Sequence, residues 1–361
     1  MPEVRLESVT KRYGKTEAVK NLCLTVHDGE YFTLLGPIGS GKTTTLMLLA
    51  GLIEVDEGEI YFDDKPMKGV PPEDRGVGFV FETFALFPHY NVWENVTYGP
   101  RVRNEESTST RKVAEEMLRM VLLEDRPDAL PDELSGGMKQ RTALARALTS
   151  GAKILLLDEP LGSLDAKIRS ALALDLRRIV KALGLTAIHV TNNVEEAMTI
   201  SDRVAVMHNG SPEQVGLPKE LYENPKSIFV MDFMGDINLF NGVVTSSGED
   251  FTEVTTEEGA PFRSSRRSIE TGTRVHAVVR AEDVDILLEN DKAAVNRLHG
   301  TVKEKLFLLG FTKYLIELET RREVVAEVPS MRREAELRVG ETITMKFTPQ
   351  NVYLFQIEES I

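Results

Sequence analysis

The octapeptide Gly36-Pro-Ile-Gly-Ser-Gly-Lys-Thr43 constrains the fold of this chain more than any other feature. It follows the apolar run Tyr31-Phe-Thr-Leu-Leu35 and precedes the apolar stretch Leu46-Met-Leu-Leu-Ala50. A strand, a glycine-rich loop and a helix in that order form a phosphate-binding pattern. The glycines let successive backbone N–H groups curl around anionic oxygens at a helix N-terminus. Lys42 supplies a point charge for the outer phosphates, and the Thr43 hydroxyl is placed for a Mg²⁺ ion. The candidate nucleotide contacts are Gly36, Pro37, Ile38, Gly39, Ser40, Gly41, Lys42, Thr43 and Thr44.

Four more runs resemble Tyr31–Leu35: Val77-Gly-Phe-Val-Phe81, Ile154-Leu-Leu-Leu157, Ala187-Ile-His-Val190 and Val204-Ala-Val-Met207. Near-continuous apolar runs suit strands buried on both faces, hence a largely parallel sheet flanked by helices. Ligands of such sheets sit beyond the carboxyl ends of the strands, where Gly36, Glu82, Asp158 and Asn192 fall. The stretch from about residue 88 to 151 reads as a mostly helical insertion. The opening Met1-Pro-Glu-Val-Arg-Leu-Glu7 alternates charged and apolar residues, which predicts a strand and not a signal peptide.

With 361 residues the chain exceeds one ordinary core, so two domains are expected, at 1–235 and 236–361. Beyond Gly235 short β-like runs alternate with Gly, Pro and charged turns. There Gly272-Thr-Arg-Val-His-Ala-Val-Val-Arg-Ala-Glu-Asp-Val284 aligns without a gap to Gly340-Glu-Thr-Ile-Thr-Met-Lys-Phe-Thr-Pro-Gln-Asn-Val352. Gly242-Val-Val and Gly300-Thr-Val open the two halves, which suggests a small, OB-like β-barrel built by duplication. A net charge of −14 argues against sequence-independent nucleic-acid binding, which needs a basic face. It also disfavours adhesion to an anionic membrane, so membrane contact is expected through a protein partner. No apolar run approaches the roughly 18–20 residues that span a bilayer. Cys23 is the sole cysteine, which fits a reducing compartment.

Ile154–Leu157 ends in Asp158-Glu159-Pro160, two acids after a buried strand. Paired with a phosphate loop, Asp158 fits the Mg²⁺ shell, and Glu159 fits a group that orients or deprotonates attacking water. Leu134-Ser-Gly-Gly-Met-Lys-Gln-Arg141 resembles the signature motif of ABC-type ATPases, and the other family motifs occur in the family's order. The resemblance implies an α/β P-loop NTPase domain with a helical subdomain at about 88–151, followed by a TOBE-like β domain. It also implies that Ser135, Gly136 and Gly137, with Gln140, cap the γ-phosphate bound by the opposite subunit of a homodimer. Tyr13, in Lys11-Arg-Tyr-Gly14, takes the place of the adenine-stacking aromatic. Leu161-Gly-Ser-Leu-Asp165 matches a segment that touches the facing monomer through Asp165. Arg75 is read as a structural ion-pairing residue.

Two positions depart from the family pattern. Glu82 replaces a glutamine that reaches the metal and the lytic water, so it is a candidate catalytic residue and metal ligand. Asn192 replaces the histidine that contacts the γ-phosphate; it donates a hydrogen bond but carries no charge. His189 is no substitute, because three residues along a strand it points to the opposite face. Both departures bear on the hydrolysis rate and not on nucleotide binding.

Phe84-Ala-Leu-Phe-Pro-His89, Val92-Trp-Glu-Asn-Val96, Glu195-Glu-Ala-Met198 and Leu221-Tyr-Glu-Asn-Pro225 resemble the ATPases of binding-protein-dependent importers. Gly235-Asp-Ile-Asn-Leu-Phe240 and Pro349-Gln-Asn-Val-Tyr-Leu354 are most similar to spermidine/putrescine importer ATPases, with iron(III), sulfate and sugar importers sharing the architecture. The resemblance implies an ATP- and Mg²⁺-dependent peripheral subunit on the cytoplasmic face, partnered by membrane permease subunits and indirectly by an extracytoplasmic solute-binding protein. Two alternatives stay open: a nucleotide-dependent clamp with weak hydrolysis, and a non-transport ABC ATPase. The acidic charge and the importer-like segments weigh against the second.

Overall fold

The computed structural model describes residues 2–104, 108–162, 166–287, 295–332 and 336–357. The chain divides into two compact units, one ending at Pro225 and the other beginning at Lys226. The break precedes the expected position after residue 235. The helix that follows it buries Met231 against Val278 and Tyr353 of the second unit, which ties the connecting stretch to that unit.

The first unit runs β1 (Val4–Tyr13), β2 (Thr16–Val26), β3 (Tyr31–Leu35), α1 (Lys42–Ala50), β4 (Glu57–Phe62), β5 (Lys65–Pro66) and β6 (Val77–Val80). It continues with α2 (Val92–Val102), α3 (Thr108–Met120), α4 (Gly136–Thr149), β7 (Ile154–Asp158), α5 (Ala166–Ala182) and β8 (Thr186–Thr191). Last come α6 (Val194–Ile200), β9 (Arg203–His208), β10 (Ser211–Gly216) and α7 (Pro218–Glu223). A six-stranded sheet has the order β10-β9-β3-β8-β7-β6. Its strands are parallel from β9 to β6, and β10 joins antiparallel. A second, antiparallel sheet has the order β2-β1-β4-β5.

Every residue of β3, β7 and β8 is buried. Successive side chains point to opposite faces, so these strands feed two cores. Phe32, Leu34, Leu156, Ile188 and Val190 join α1 residues Leu46, Leu48 and Leu49 on one side. Tyr31, Leu155, Leu157 and Ala187 join residues of α4 and α5 on the other. The five apolar runs are thus the parallel strands expected of them, except that Phe81 falls just past β6. The insertion holds α2, α3 and α4. At its entrance, Asn91 and Glu94 cap α2 reciprocally at 2.8 and 3.0 Å.

In the second unit α8 (Ile228–Phe233) precedes β11 (Ile237–Ser247), β12 (Thr252–Thr256), β13 (Pro261–Ser264), β14 (Arg274–Arg280) and β15 (Asp285–Leu287). Then follow β16 (Asn296–Leu308), β17 (Phe311–Leu318), β18 (Glu323–Pro329), β19 (Thr342–Phe347) and β20 (Tyr353–Gln356). They form two five-stranded antiparallel sheets around one core, with orders β13-β12-β11-β14-β20 and β15-β19-β16-β17-β18. The duplication read from the sequence is present in detail. Gly272 and Gly340 both stand at φ 91°, and their N–H groups donate to Val244 and Val302, each at 2.8 Å. Each following strand ends in a 3₁₀ turn and a buried valine, Val284 or Val352.

The halves exchange their last strands: β15 pairs with β19 of the second copy, and β20 with β14 of the first. Gly242 and Gly300 occupy matching places. A β-carbon on Gly300 would lie 2.6 Å from Ile316 Cγ2 and 2.7 Å from the Glu317 carbonyl oxygen. On Gly242 it would lie 2.6 Å from Val254 Cγ1 and 2.7 Å from the Thr255 carbonyl oxygen. Main-chain oxygens in a ladder cannot yield cheaply. Gly300→Ala is therefore expected to lower stability by about 1–3 kcal/mol, the range for overpacking, measured by denaturant unfolding; an unchanged midpoint would refute the close packing assigned to this glycine.

Candidate nucleotide site

The phosphate loop leaves β3 and ends at Gly41, which stands at φ 97° as the residue before α1. A β-carbon at Gly36 would collide with the Met207 carbonyl oxygen, and one at Gly41 with that of Ala18. These close approaches explain two of the glycines directly. Gly39, at φ 83°, has open space around it, so its need is conformational. Ile38 is 89% exposed at the tip of the loop. The Ser40 hydroxyl is buried and has no hydrogen-bond partner among the described residues.

Lys42 is buried and donates from Nζ to the carbonyl oxygens of Gly36 at 2.7 Å and Pro37 at 2.9 Å. Burial pulls its proton affinity down, and the carboxylates of Glu159 and Asp158 act in the other direction. The Thr43 hydroxyl donates to Asp158 Oδ1 at 2.9 Å, joining the first turn of α1 to the end of β7. Burial pushes the Asp158 carboxyl above its ordinary range. The bond from Thr43 offsets this in part, and the charge of Glu82 adds to it. Glu159 is likewise raised, chiefly by burial, with Lys42 opposing and Glu82 and Asp158 adding. Its N–H donates to the Val190 carbonyl at 2.9 Å, and its backbone stands at φ 42°. A left-handed conformation is costly for a glutamate and is typical of functional turns.

The structure brings Lys42, Thr43, Asp158 and Glu159 together, with the exposed Glu82 acting on both acids through its charge. Among the described residues, no group of three or more His, Cys, Asp or Glu side chains gathers as a metal site. The oxygens of Thr43 and Asp158 are hard donors of the kind Mg²⁺ prefers. They fit an ion that also takes oxygens from a phosphate and from water.

Tyr13, at the end of β1, is 51% exposed, with Lys11 Nζ 5.9 Å from its ring centroid. Asn192 is exposed just past β8. Ser135 is the N-cap of α4 and accepts from Met138 N–H at 3.4 Å, with Gly136 in the first turn and exposed. Gln140 behaves otherwise. Only 4% exposed, it is buried within α4, in contrast to the exposed Ser135 and Gly136. Asp165 lies outside the described residues.

Among the described residues the hydrogen bonds of Arg75 go to carbonyls, and the Glu59 carboxylate acts on it only through its charge. The arginine donates to Leu48, Leu49, Val70 and Met67 at 2.8–3.0 Å, and so closes the C-terminus of α1. One contributor went unread in the sequence. Arg146 of α4 donates to the carbonyls of Phe84 at 2.9 Å and Ala85 at 2.8 Å, two residues with positive φ just beyond Glu82. The helix that begins at Ser135 therefore also holds the loop after Glu82.

Residues 19–162 match the ABC transporter family and residues 277–355 the TOBE domain. The spermidine/putrescine import ATP-binding protein PotA of Rubrobacter xylanophilus is 41% identical over 350 residues, 95% of this chain and 90% of that protein. PotA of Trichormus variabilis is 40% identical over 319 residues, 88% of this chain and 84% of that protein. PotA of Escherichia coli K12 is 39% identical over 325 residues, 90% and 86% of the two chains. Among solved structures, the dimeric post-hydrolysis state of the ATP-binding cassette MJ0796 bound to ADP and Pi is 33% identical, with a TM-score of 0.53. It covers 60% of this chain and 98% of its own. The ADP conformation of the cassette MJ1267 is 25% identical, with a TM-score of 0.56, covering 64% and 98%. Motif order, strand-end geometry and likeness over most of the chain agree: this protein belongs to the ABC transporter family, as one of its ATP-binding, ATP-hydrolysing subunits.

Proposed function

We propose that the chain drives solute import as a head-to-tail homodimer, bound to membrane permease subunits at the cytoplasmic face of the membrane. The observation that carries this reading is the Thr43–Asp158 bond, which sets the phosphate loop against the acid pair at one edge of a parallel sheet. In the proposed mechanism Tyr13 stacks on adenine, and the loop N–H groups hold the phosphates. Lys42 turns from the Gly36 and Pro37 carbonyls to the outer phosphates. Thr43 and Asp158, with Glu82 approaching from the loop after β6, would hold Mg²⁺, which supplies neutralising charge to the phosphate oxygens. Glu159, its proton affinity raised by burial, is suited to orient and deprotonate water. The Asn192 amide donates to the γ-phosphate. Ser135, Gly136 and Gly137 complete the partner's site at a helix N-terminus, and Asp165 meets the facing subunit.

The second unit, from the end of the nucleotide-binding domain onward, tunes this motor and takes no part in the chemistry. The permease and its extracytoplasmic solute-binding protein select the solute. Spermidine and putrescine, named for the relatives, are the first cargo to assay.

Two expectations test the roles. Lys42→Ala should weaken nucleotide binding itself. Glu159→Gln should bind ATP normally, lose about 10²–10⁴-fold in turnover, and accumulate as an ATP-dependent dimer on size-exclusion chromatography. A Glu159→Gln protein that stays monomeric with saturating ATP and Mg²⁺, with and without permease, would refute the assembly. The departures at Glu82 and Asn192 favour a second reading, a slow clamp, because one adds negative charge beside the acids and the other removes a chargeable donor. Asn192→His combined with Glu82→Gln should speed ATP hydrolysis at least about tenfold, since a single preorganised donor is worth on the order of 10²–10³. An unchanged rate in the double variant would show that these positions do not limit turnover.

A further inference from the structure

β8 carries a buried polar chain that the roles above leave unused. His189 stands between Ile188 and Val190 with 0% exposure. Its Nδ1 is 2.9 Å from the Tyr31 hydroxyl on β3. Its Nε2 is 2.8 Å from Oε1 of Glu196 on α6. Among the described residues neither atom of that last pair makes a well-directed hydrogen bond, so this close approach is the polar contact each of them has. Glu196 is itself buried, and its second oxygen accepts from the Thr191 hydroxyl at 3.3 Å. That hydroxyl accepts in turn from the Asn193 N–H at 3.0 Å, and Asn193 Oδ1 accepts from the Glu196 N–H at 2.8 Å. Thr191 and Asn193 are thus both tied to Glu196, and Asn192 projects as the exposed apex of a clamped turn.

Such a chain is costly in a core otherwise lined by Leu155, Leu157, Ala187 and Val180. Burial, and then the Glu196 charge, drive the Tyr31 phenol far above its ordinary range, so it stays protonated. A leucine at 189 would pack without polar requirements. It would also leave the Glu196 carboxylate with only the long bond from Thr191 to fix it. The phenol at the far end belongs to the strand that runs directly into Gly36. The contacts therefore connect the strand of the phosphate loop to the turn that presents Asn192.

We propose that His189 is a positioning residue for ATP hydrolysis, acting through Glu196 to fix the 191–193 turn and so aim Asn192 at the nucleotide. The proposal rests on the reading of Asn192 as a γ-phosphate donor. Small misplacements of an aiming group carry large penalties, up to about 10²-fold for 1 Å.

The test is a double-mutant cycle on the full chain, with steady-state ATP hydrolysis and fluorescent-nucleotide affinity measured in parallel. His189→Leu should lower kcat about ten- to a hundredfold and leave KM and nucleotide affinity within about twofold. In an Asn192→Ala background the same change should cost less than about twofold, because residues that act as one unit are not additive. His189→Gln, which retains a donor toward Glu196, should recover most of the rate. Should His189→Leu fail to fold, the near-isosteric Thr191→Val removes the hydroxyl between Glu196 and Asn193 and should show the same non-additive loss. Equal losses in both backgrounds, or a loss carried by KM, would overturn the positioning role while leaving Asn192 in place. A normal kcat in Asn192→Ala alone would overturn the reading of Asn192 itself, and with it the relay.

Discussion

Everything at the nucleotide site depends on the register of three parallel strands. Leu35 lies opposite Thr191 across β3 and β8, and Asp158 lies opposite Val190 across β7 and β8. Because the strands run the same way, the phosphate loop, the acid pair and the Asn192 turn all leave the sheet from one edge, within a residue of one another. Antiparallel neighbours would have sent alternate turns to the far end. The two-faced burial of β3, β7 and β8 fixes this register, since a slip of one residue would exchange the side chains that feed the two cores. It would also carry His189 and Tyr31 away from Glu196. The Glu159 N–H bond to Val190 extends the ladder past the end of β7 and holds the glutamate in its left-handed turn.

The electrostatics follow from that crowding. Asp158 and Glu159 share one small region with Lys42, and Glu82 adds a third negative charge nearby. A single buried ammonium cannot balance three carboxylates in a medium less polar than water. Burial first, and then the Glu82 charge, make both acids hold their protons more tightly than exposed carboxyls do. A glutamine at position 82 would relieve both acids without changing the shape of the loop. The Arg146 bonds to Phe84 and Ala85 fix where that loop runs, so the charge of Glu82 acts from a defined position.

Most of the first unit was legible because its strands are apolar on both faces and its loops carry glycines where main chain approaches main chain, as at Gly36 and Gly41. Such signals are local. What escaped was non-local. Arg146 reads as an ordinary helical cation, and nothing in its neighbourhood names the carbonyls some 60 residues earlier that it meets. The motif around Ser135 extends in sequence to Gln140, but helical periodicity turns Gln140 inward and keeps Ser135 at the tip. His189 is buried, and its partners come from β3 and α6, which strand alternation alone cannot name. Arg75 shows the same limit: its charge suggested an acid, and the fold supplied the open carbonyls at the end of α1.

The second unit shows how a repeat constrains more than it displays. Turn glycines at 272 and 340, and tight ones at 242 and 300, mark two equivalent halves, since each must satisfy the same close approach. From the sequence alone the copies could each close on themselves. Instead β15 and β20 cross over, so each five-stranded sheet takes its last strand from the other copy. Neither copy then satisfies its edge hydrogen bonds without the other, and an unpaired edge is an aggregation hazard. The shared core has the same consequence: Phe262 packs edge-on against both Phe240 of its own half and Phe347 of the other, each at 4.9 Å between centroids. Exchange and common core together make the unit fold as one cooperative body, because half of it would leave both a bare strand edge and an open apolar face.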